Sequence, residues 1–112
     1  MSRSTVILMT AAGQVPIPDD MQDIQAGQRV AIAACDSVAT ATLTASLNTD
    51  AFISPGTVVN IEAATDRITR DDFLGQKLAQ GKKRLSATAG GTAAGLRVLI
   101  HILDPGDVWP FF

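Results

Sequence analysis

Residues 38–47, VATATLTASL, split cleanly when read in twos. Ala39, Ala41, Leu43, Ala45 and Leu47 fall on one side, and Val38, Thr40, Thr42, Thr44 and Ser46 on the other. A strand sends successive side chains to opposite faces, so this alternation predicts a strand. Its apolar side is mostly alanine and its polar side is a row of hydroxyls without charge. Alanine-lined faces let sheets or subunits approach closely. Uncharged hydroxyls tolerate partial burial while still hydrogen-bonding. Both suit a subunit surrounded by others.

The same period recurs along the chain. Residues 5–10 and 57–63 are rich in β-branched and aliphatic types and predict strands. Val30, Ile32 and Ala34 alternate with Ala31, Ala33 and Cys35. The strongest strand pattern covers residues 96–103, with Val98, Ile100 and Ile102 facing one way and Arg97, Leu99, His101 and Leu103 the other. Both of those faces are largely apolar, so both should be covered. Turn signals separate the strands. They are Asn48-Thr49-Asp50, the type II signature 54-SPGT-57, the small charge-free run 89-AGGTAAG-95 and 104-DPGD-107.

Two segments break the alternation. In 13-GQVPIPDD-20, Pro16 and Pro18 remove backbone donors and favour extended geometry, which predicts an arm or an edge segment. Residues 19–26 then suit a single helical turn with Met21 and Ile24 on one side. Between residues 66 and 87, Phe73, Leu74 and Leu78 have helical spacing, with Asp71 and Asp72 in the first turn and Gly81 at the end. Gly75 weakens that helix by about 1 kcal/mol relative to alanine. The reading is a short helix near 70–82, with a long excursion between strands as the alternative. Taken together, the chain reads as mainly β, a small sandwich or barrel of about 5–7 strands in a single domain, 1–112.

Composition sharpens this picture. A chain of 112 residues can hide roughly 65% of its unfolded surface, enough for a modest core without disulfides or metals. Charged residues are only 18%, below the usual ~25%. Less obligatorily wet surface fits an exterior partly covered by partner chains. Aromatics are 4%, and Trp109, Phe111 and Phe112 lie in the last four positions. Such side chains at a chain end must dock on their own domain or on a neighbour. The expected gripping residues are therefore Pro16 and Pro18 of the arm at 13–20, and Trp109, Phe111 and Phe112 of the tail at 108–112.

The net charge of −2 is unevenly spread. Residues 1–66 carry −5, while residues 67–84 carry +4 through Arg67, Arg70, Lys77, Lys82, Lys83 and Arg84. That division suits pairing within the chain or head-to-tail contact between copies. The basic stretch is also the candidate patch for an anionic partner. Readers of single-stranded nucleic acid want stacking aromatics as well, and only Phe73 is near, so nucleic acid is disfavoured.

Other chemistry is thin. Cys35 is the only cysteine and His101 the only histidine, so no intrachain disulfide forms and a structural zinc set is not supplied. A Cys35–His101 nucleophile and base pair helped by Asp36 competes with packed positions in aliphatic strands, and packing is preferred. Asp19, Asp20 and Asp23 form a DDxxD string that reads as a helix start rather than a magnesium site. Gly90 to Gly95 has phosphate-loop spacing, but Leu96-Arg97 follows in place of Lys-Ser/Thr. No catalytic residue, cofactor or metal is expected. The opening MSRSTVILMTAAGQ only faintly suggests a signal peptide and reads as a strand. No apolar run approaches the ~20 residues that span a bilayer, so no membrane partner is expected.

Small size, Ala/Thr/Gly-rich strands, few charges, the Pro16–Pro18 arm and the Trp109–Phe112 tail together resemble small virion proteins of tailed bacteriophages, of the head decoration or cement type. The resemblance implies a non-enzymatic, homo-oligomeric subunit of the virion. Its partners would be its own copies and a major capsid or other virion protein. The alternative is a soluble, cytoplasmic binding module using residues 67–84.

Overall fold

The computed structural model describes residues 3–36, 41–61, 73–91 and 96–105. Within them the alternating segments become strands β1 (Arg3–Leu8), β2 (Gly13–Gln14), β3 (Asp23–Ile24), β4 (Arg29–Asp36), β5 (Ala41–Leu47), β6 (Asp50–Val58), β7 (Asn60–Ile61), β8 (Phe73–Leu78), β9 (Lys83–Gly91) and β10 (Arg97–Leu103). One helical turn, α1 (Asp19–Gln22), precedes β3. The fold is a β-sandwich of two sheets. Of the seven strands of six or more residues, β1, β4, β5 and β10 are anticipated from periodicity, while β6 is anticipated only at its last residues, β8 stands where a helix is expected, and β9 runs on through Ala89–Gly91, which read as part of a turn. The two-residue strands β2, β3 and β7 are too short to leave a period.

The first sheet runs β1-β10-β4. The far side of β4 is shared by β8, antiparallel along Arg29–Ala33, and β7, parallel at Cys35 and Asp36. The second sheet runs β6-β5-β9. The far side of β9 is taken by β2 at Thr88 and Ala89 and by β3 at Lys83 and Arg84. Apart from β4–β7, the pairings are antiparallel.

The alanine face of β5 meets the interior of its own molecule. Ala41, Leu43, Ala45 and Leu47 are all buried in the core cluster. Opposite Ala45 stands Ala87 of β9, and opposite Leu43 stands Ala89. The other sheet supplies bulk, through Val30, Ile32, Val98, Ile100 and Ile102. Small residues on one layer thus make room for branched ones on the other, which is how an interior reaches dense packing. The hydroxyl row Thr42, Thr44 and Ser46 is half-buried on the outer face, where Ser46 Oγ and Ser86 Oγ share a hydrogen bond of 3.0 Å. Both faces of β10 are covered as its pattern required. Leu99, His101 and Leu103 are buried, together with Ala31, Ala33 and Cys35 of β4.

Three further local expectations are corrected. The helix near 70–82 is not formed. Phe73–Leu78 is β8, and Lys83 begins β9, while residues 70–72 lie outside the described residues. The edge of β4 offers unpaired backbone groups, and pairing there outweighs a helical tendency that Gly75 already weakens. The register shift between Ile32 and Ala33 inserts one extra residue, Leu74, which packs against the core and gives the segment its non-alternating look. Secondly, 54-SPGT-57 does not separate two strands. It lies inside β6, where residues 54–56 stand opposite Thr44 between the pairs Leu43–Thr57 and Ala45–Ile53. Thr57 Oγ1 donates to the Ser54 carbonyl at 2.7 Å across this bulge. Thirdly, the helical turn at 19–26 stops at Gln22, and Ile24 reaches the core from β3 instead.

The β5–β6 turn shows how one side chain replaces a strand carbonyl. Asn48 has φ of 54°, a left-handed conformation that asparagine tolerates better than most residues. Its N–H still donates to the Arg84 carbonyl at 2.8 Å. Arg84 N–H, in return, donates to Asn48 Oδ1 at 2.9 Å, so the side chain supplies the acceptor for this pair. Asn48→Ala removes that acceptor and keeps the unfavourable φ. It is expected to destabilise the fold by about 1–2 kcal/mol, read as a lower denaturation midpoint. Asn48→Gly should lose less, because the backbone strain is relieved.

Candidate functional site

Three residues of the basic stretch, Lys77, Lys82 and Lys83, gather at one end of the sandwich. There the close of β8, the start of β9 and the β5–β6 turn meet around a shallow open cleft of about 100 Å³. Lys77, Lys83 and Asp50 supply its charge, with Leu47, Leu78 and Gln80 also on its wall. Lys82 is exposed beside it. Arg84 points elsewhere. Its Nη2 donates to Gln22 Oε1, and Gln22 Nε2 in turn donates to the Ile17 carbonyl at 2.8 Å and to Asp19 Oδ1 at 3.3 Å. Asp23 stands directly across from Arg84 in the β3–β9 register. The acidic string and part of the basic stretch are thus brought side by side within one chain. The candidate patch reduces here to Lys77, Lys82 and Lys83, because Arg67 and Arg70 lie outside the described residues. Nothing in the sequence pattern singles out Gln22 as the partner of Arg84. That contact arises only when α1 is laid along the start of β9.

The arm at 13–20 is fastened to its own sheet. Val15 N–H donates to the Ala87 carbonyl at 2.9 Å, extending the β2 pairing. Val15 and Ile17 enter the core, while Pro16 is exposed and Pro18 half-buried. Pro16 follows Val15 in the β2 phase, where an outward N–H would otherwise go unused, and Pro18 stands just before α1, so neither lost donor is taken from the sheet. Trp109, Phe111 and Phe112 lie outside the described residues.

Cys35 and His101 share the outer face of the first sheet but do not meet. Cys35 is opposite Arg97, and His101 is opposite Ala31, four residues further along. At ~3.4 Å per residue that is about 13–14 Å, far beyond the reach of a nucleophile and its base. Among the described residues no three His, Cys, Asp or Glu side chains are grouped to hold a metal ion, and no helix is long and apolar enough to cross a membrane.

The edges of the two sheets differ from one another. β6 carries Pro55 and two register shifts. The β8 side carries a register shift and Lys77. The outer side of β9 is occupied by β2 and β3. Prolines, lysines, bulges and covering segments are the usual protections against edge-to-edge pairing. β1 has none of them between Ser4 and Leu8, and among the described residues no strand pairs with its outer side. Val6 and Leu8 are 55% and 57% exposed on this edge. A sequence signal does exist: residues 4–18 are the longest stretch of the chain without Asp, Glu, Lys or Arg. Alternation alone could not show that β1 would lie at an edge.

No protein-family model, no curated protein and no solved structure matches this chain.

Proposed function

We propose that this chain is a non-enzymatic structural subunit that works by fitting against other protein subunits, as a capsid decoration or cement protein of a virion does. The observation that carries the reading is the unprotected β1 edge. Among the described residues no strand pairs with the outer side of β1, and an edge of this kind, flanked by exposed Val6 and Leu8, is a liability for a solitary protein and an asset for an assembling one. The low charge fraction and the uncharged hydroxyl face of β5 and β9 support the same reading. The resemblance in composition and layout to tailed-phage virion proteins supplies the virion context.

A second reading rests on the cleft between Lys77 and Lys83, which would receive an anionic partner. Asp50 on the cleft wall and the engagement of Arg84 by Gln22 reduce its positive field. Binding of that kind would weaken steeply with added salt, whereas edge pairing would not.

Solution mass and unfolding midpoint, measured for the full chain and for a chain ending at Asp107, test the assembly reading. Association of the full chain, with loss of association or of stability on truncation, is expected. A single-chain species that is equally stable without residues 108–112 would overturn it.

A further inference from the structure

We infer that β1 is the seat of a two-fold contact between copies of this chain, in which β1 pairs antiparallel with β1 of a partner subunit and the first sheet runs on across the junction. The inference rests on the assembly reading and names its partner. Its basis is the phase of the backbone. Met9 N–H donates to the Leu96 carbonyl at 2.7 Å, which continues the β1–β10 register by one residue. In an antiparallel ladder, residues that exchange bonds with one neighbour alternate with residues that face the other way. Ile7 and Thr5 therefore bond to β10, while Ser4, Val6 and Leu8 turn both N–H and C=O towards the side on which, among the described residues, no strand pairs. These same residues are exposed, whereas Ile7 and Met9 are buried.

A second copy fits that edge without conflict. Centring the two-fold on Val6 sets Val6 against the partner's Val6, Ser4 against the partner's Leu8 and Leu8 against the partner's Ser4. Every pair formed is of the hydrogen-bonded kind, so all the outward groups of Ser4, Val6 and Leu8 are satisfied together. On the outer face the valines become cross-strand neighbours, an apolar pairing that strands favour. No charged residue lies between Ser4 and Pro18, so self-pairing brings no like charges face to face. A partner of different sequence would need its own uncharged strand edge. The second copy already has one, in matching phase.

The test compares the full chain with Val6→Lys and Leu78→Lys by sedimentation equilibrium over a range of concentrations, with amide hydrogen exchange at Val6 and Leu8. Both substituted positions are exposed, and an unchanged unfolding midpoint at low concentration verifies that each variant keeps its fold. A two-chain species is expected for the full chain and for Leu78→Lys, with loss of that species in Val6→Lys. Val6 and Leu8 amides should be protected only where the two-chain species is present. An oligomer that persists in Val6→Lys would overturn the β1 contact while leaving the assembly reading intact. A single-chain species at every concentration, with freely exchanging Val6 and Leu8 amides, would also overturn it. The truncation experiment would then decide the assembly reading separately.

Discussion

Replacing Ile100 with alanine is expected to lower the unfolding free energy by about 2–5 kcal/mol. Ile100 is 0% exposed, lies on the inner face of β10, and stands between Thr5 of β1 and Ile32 of β4. Truncation removes buried apolar area and also leaves a cavity, because the surrounding structure collapses only in part. Collapse is restricted here for a specific reason. The second sheet presents Ala41, Ala45, Ala87 and Ala89 to the interior, and an alanine has no rotamer with which to fill a gap. A domain of this size holds about 5–15 kcal/mol in total, so the loss is a large fraction of its stability. In urea the midpoint should fall while the slope stays unchanged. Val6→Ala is the control on the same sheet. At 55% exposure, truncation of Val6 should change the stability of the isolated chain by no more than about 0.5 kcal/mol. Equal effects at the two positions would contradict the assignment of inner and outer faces.

Gly75→Ala is expected to destabilise, and its sign separates two conformations of the same residues. In β8 a Cβ on residue 75 would lie 2.8 Å from the Phe52 carbonyl oxygen and 2.9 Å from Ile53 Cγ1. Gly75 is thus the point at which β8, on the edge of one sheet, closes against β6, on the edge of the other. A backbone oxygen cannot rotate away as a side-chain end can. The added methyl must push the two strands apart, at a cost of about 1–3 kcal/mol typical of overpacking. In a helix the same substitution would stabilise by about 1 kcal/mol, since alanine is the better helix former. A lower midpoint for Gly75→Ala supports the strand and the close approach. A higher one would restore the helix that the spacing of Phe73, Leu74 and Leu78 implies.

The candidate surfaces were legible to different degrees. The strands β1, β4, β5 and β10 were plain, because burial on one face writes a period of two into residues such as Ala41, Leu43, Ala45 and Leu47, whereas β9 was hidden by its small glycine-rich end and β6 by its bulge at 54–56. The double coverage of β10 was plain too, since Leu99 and Leu103 are apolar opposite Ile100 and Ile102. The stretch 73–78 misled because a bulge at Leu74 interrupts the alternation and produces a spacing that a helix would share. The charge separation along the chain anticipated contact between acidic and basic parts. The register of Asp23 against Arg84 realises it within one molecule. The alanine face suggested close approach of sheets or of subunits, and the structure realises the first, since the face is occupied by the chain's own second layer.

By itself the sequence determined which residues share a face along the strands that alternate without a bulge, because side-chain direction is a local property of the backbone. Only the tertiary structure decided which strands became neighbours. It set Ser4 opposite His101, kept Cys35 away from His101, and left the outer side of β1 without a partner strand among the described residues. Pairing joins segments far apart in the chain through backbone groups that every non-proline residue carries alike. Residue types therefore record the face each side chain meets, and record only faintly which edge of a sheet is left open.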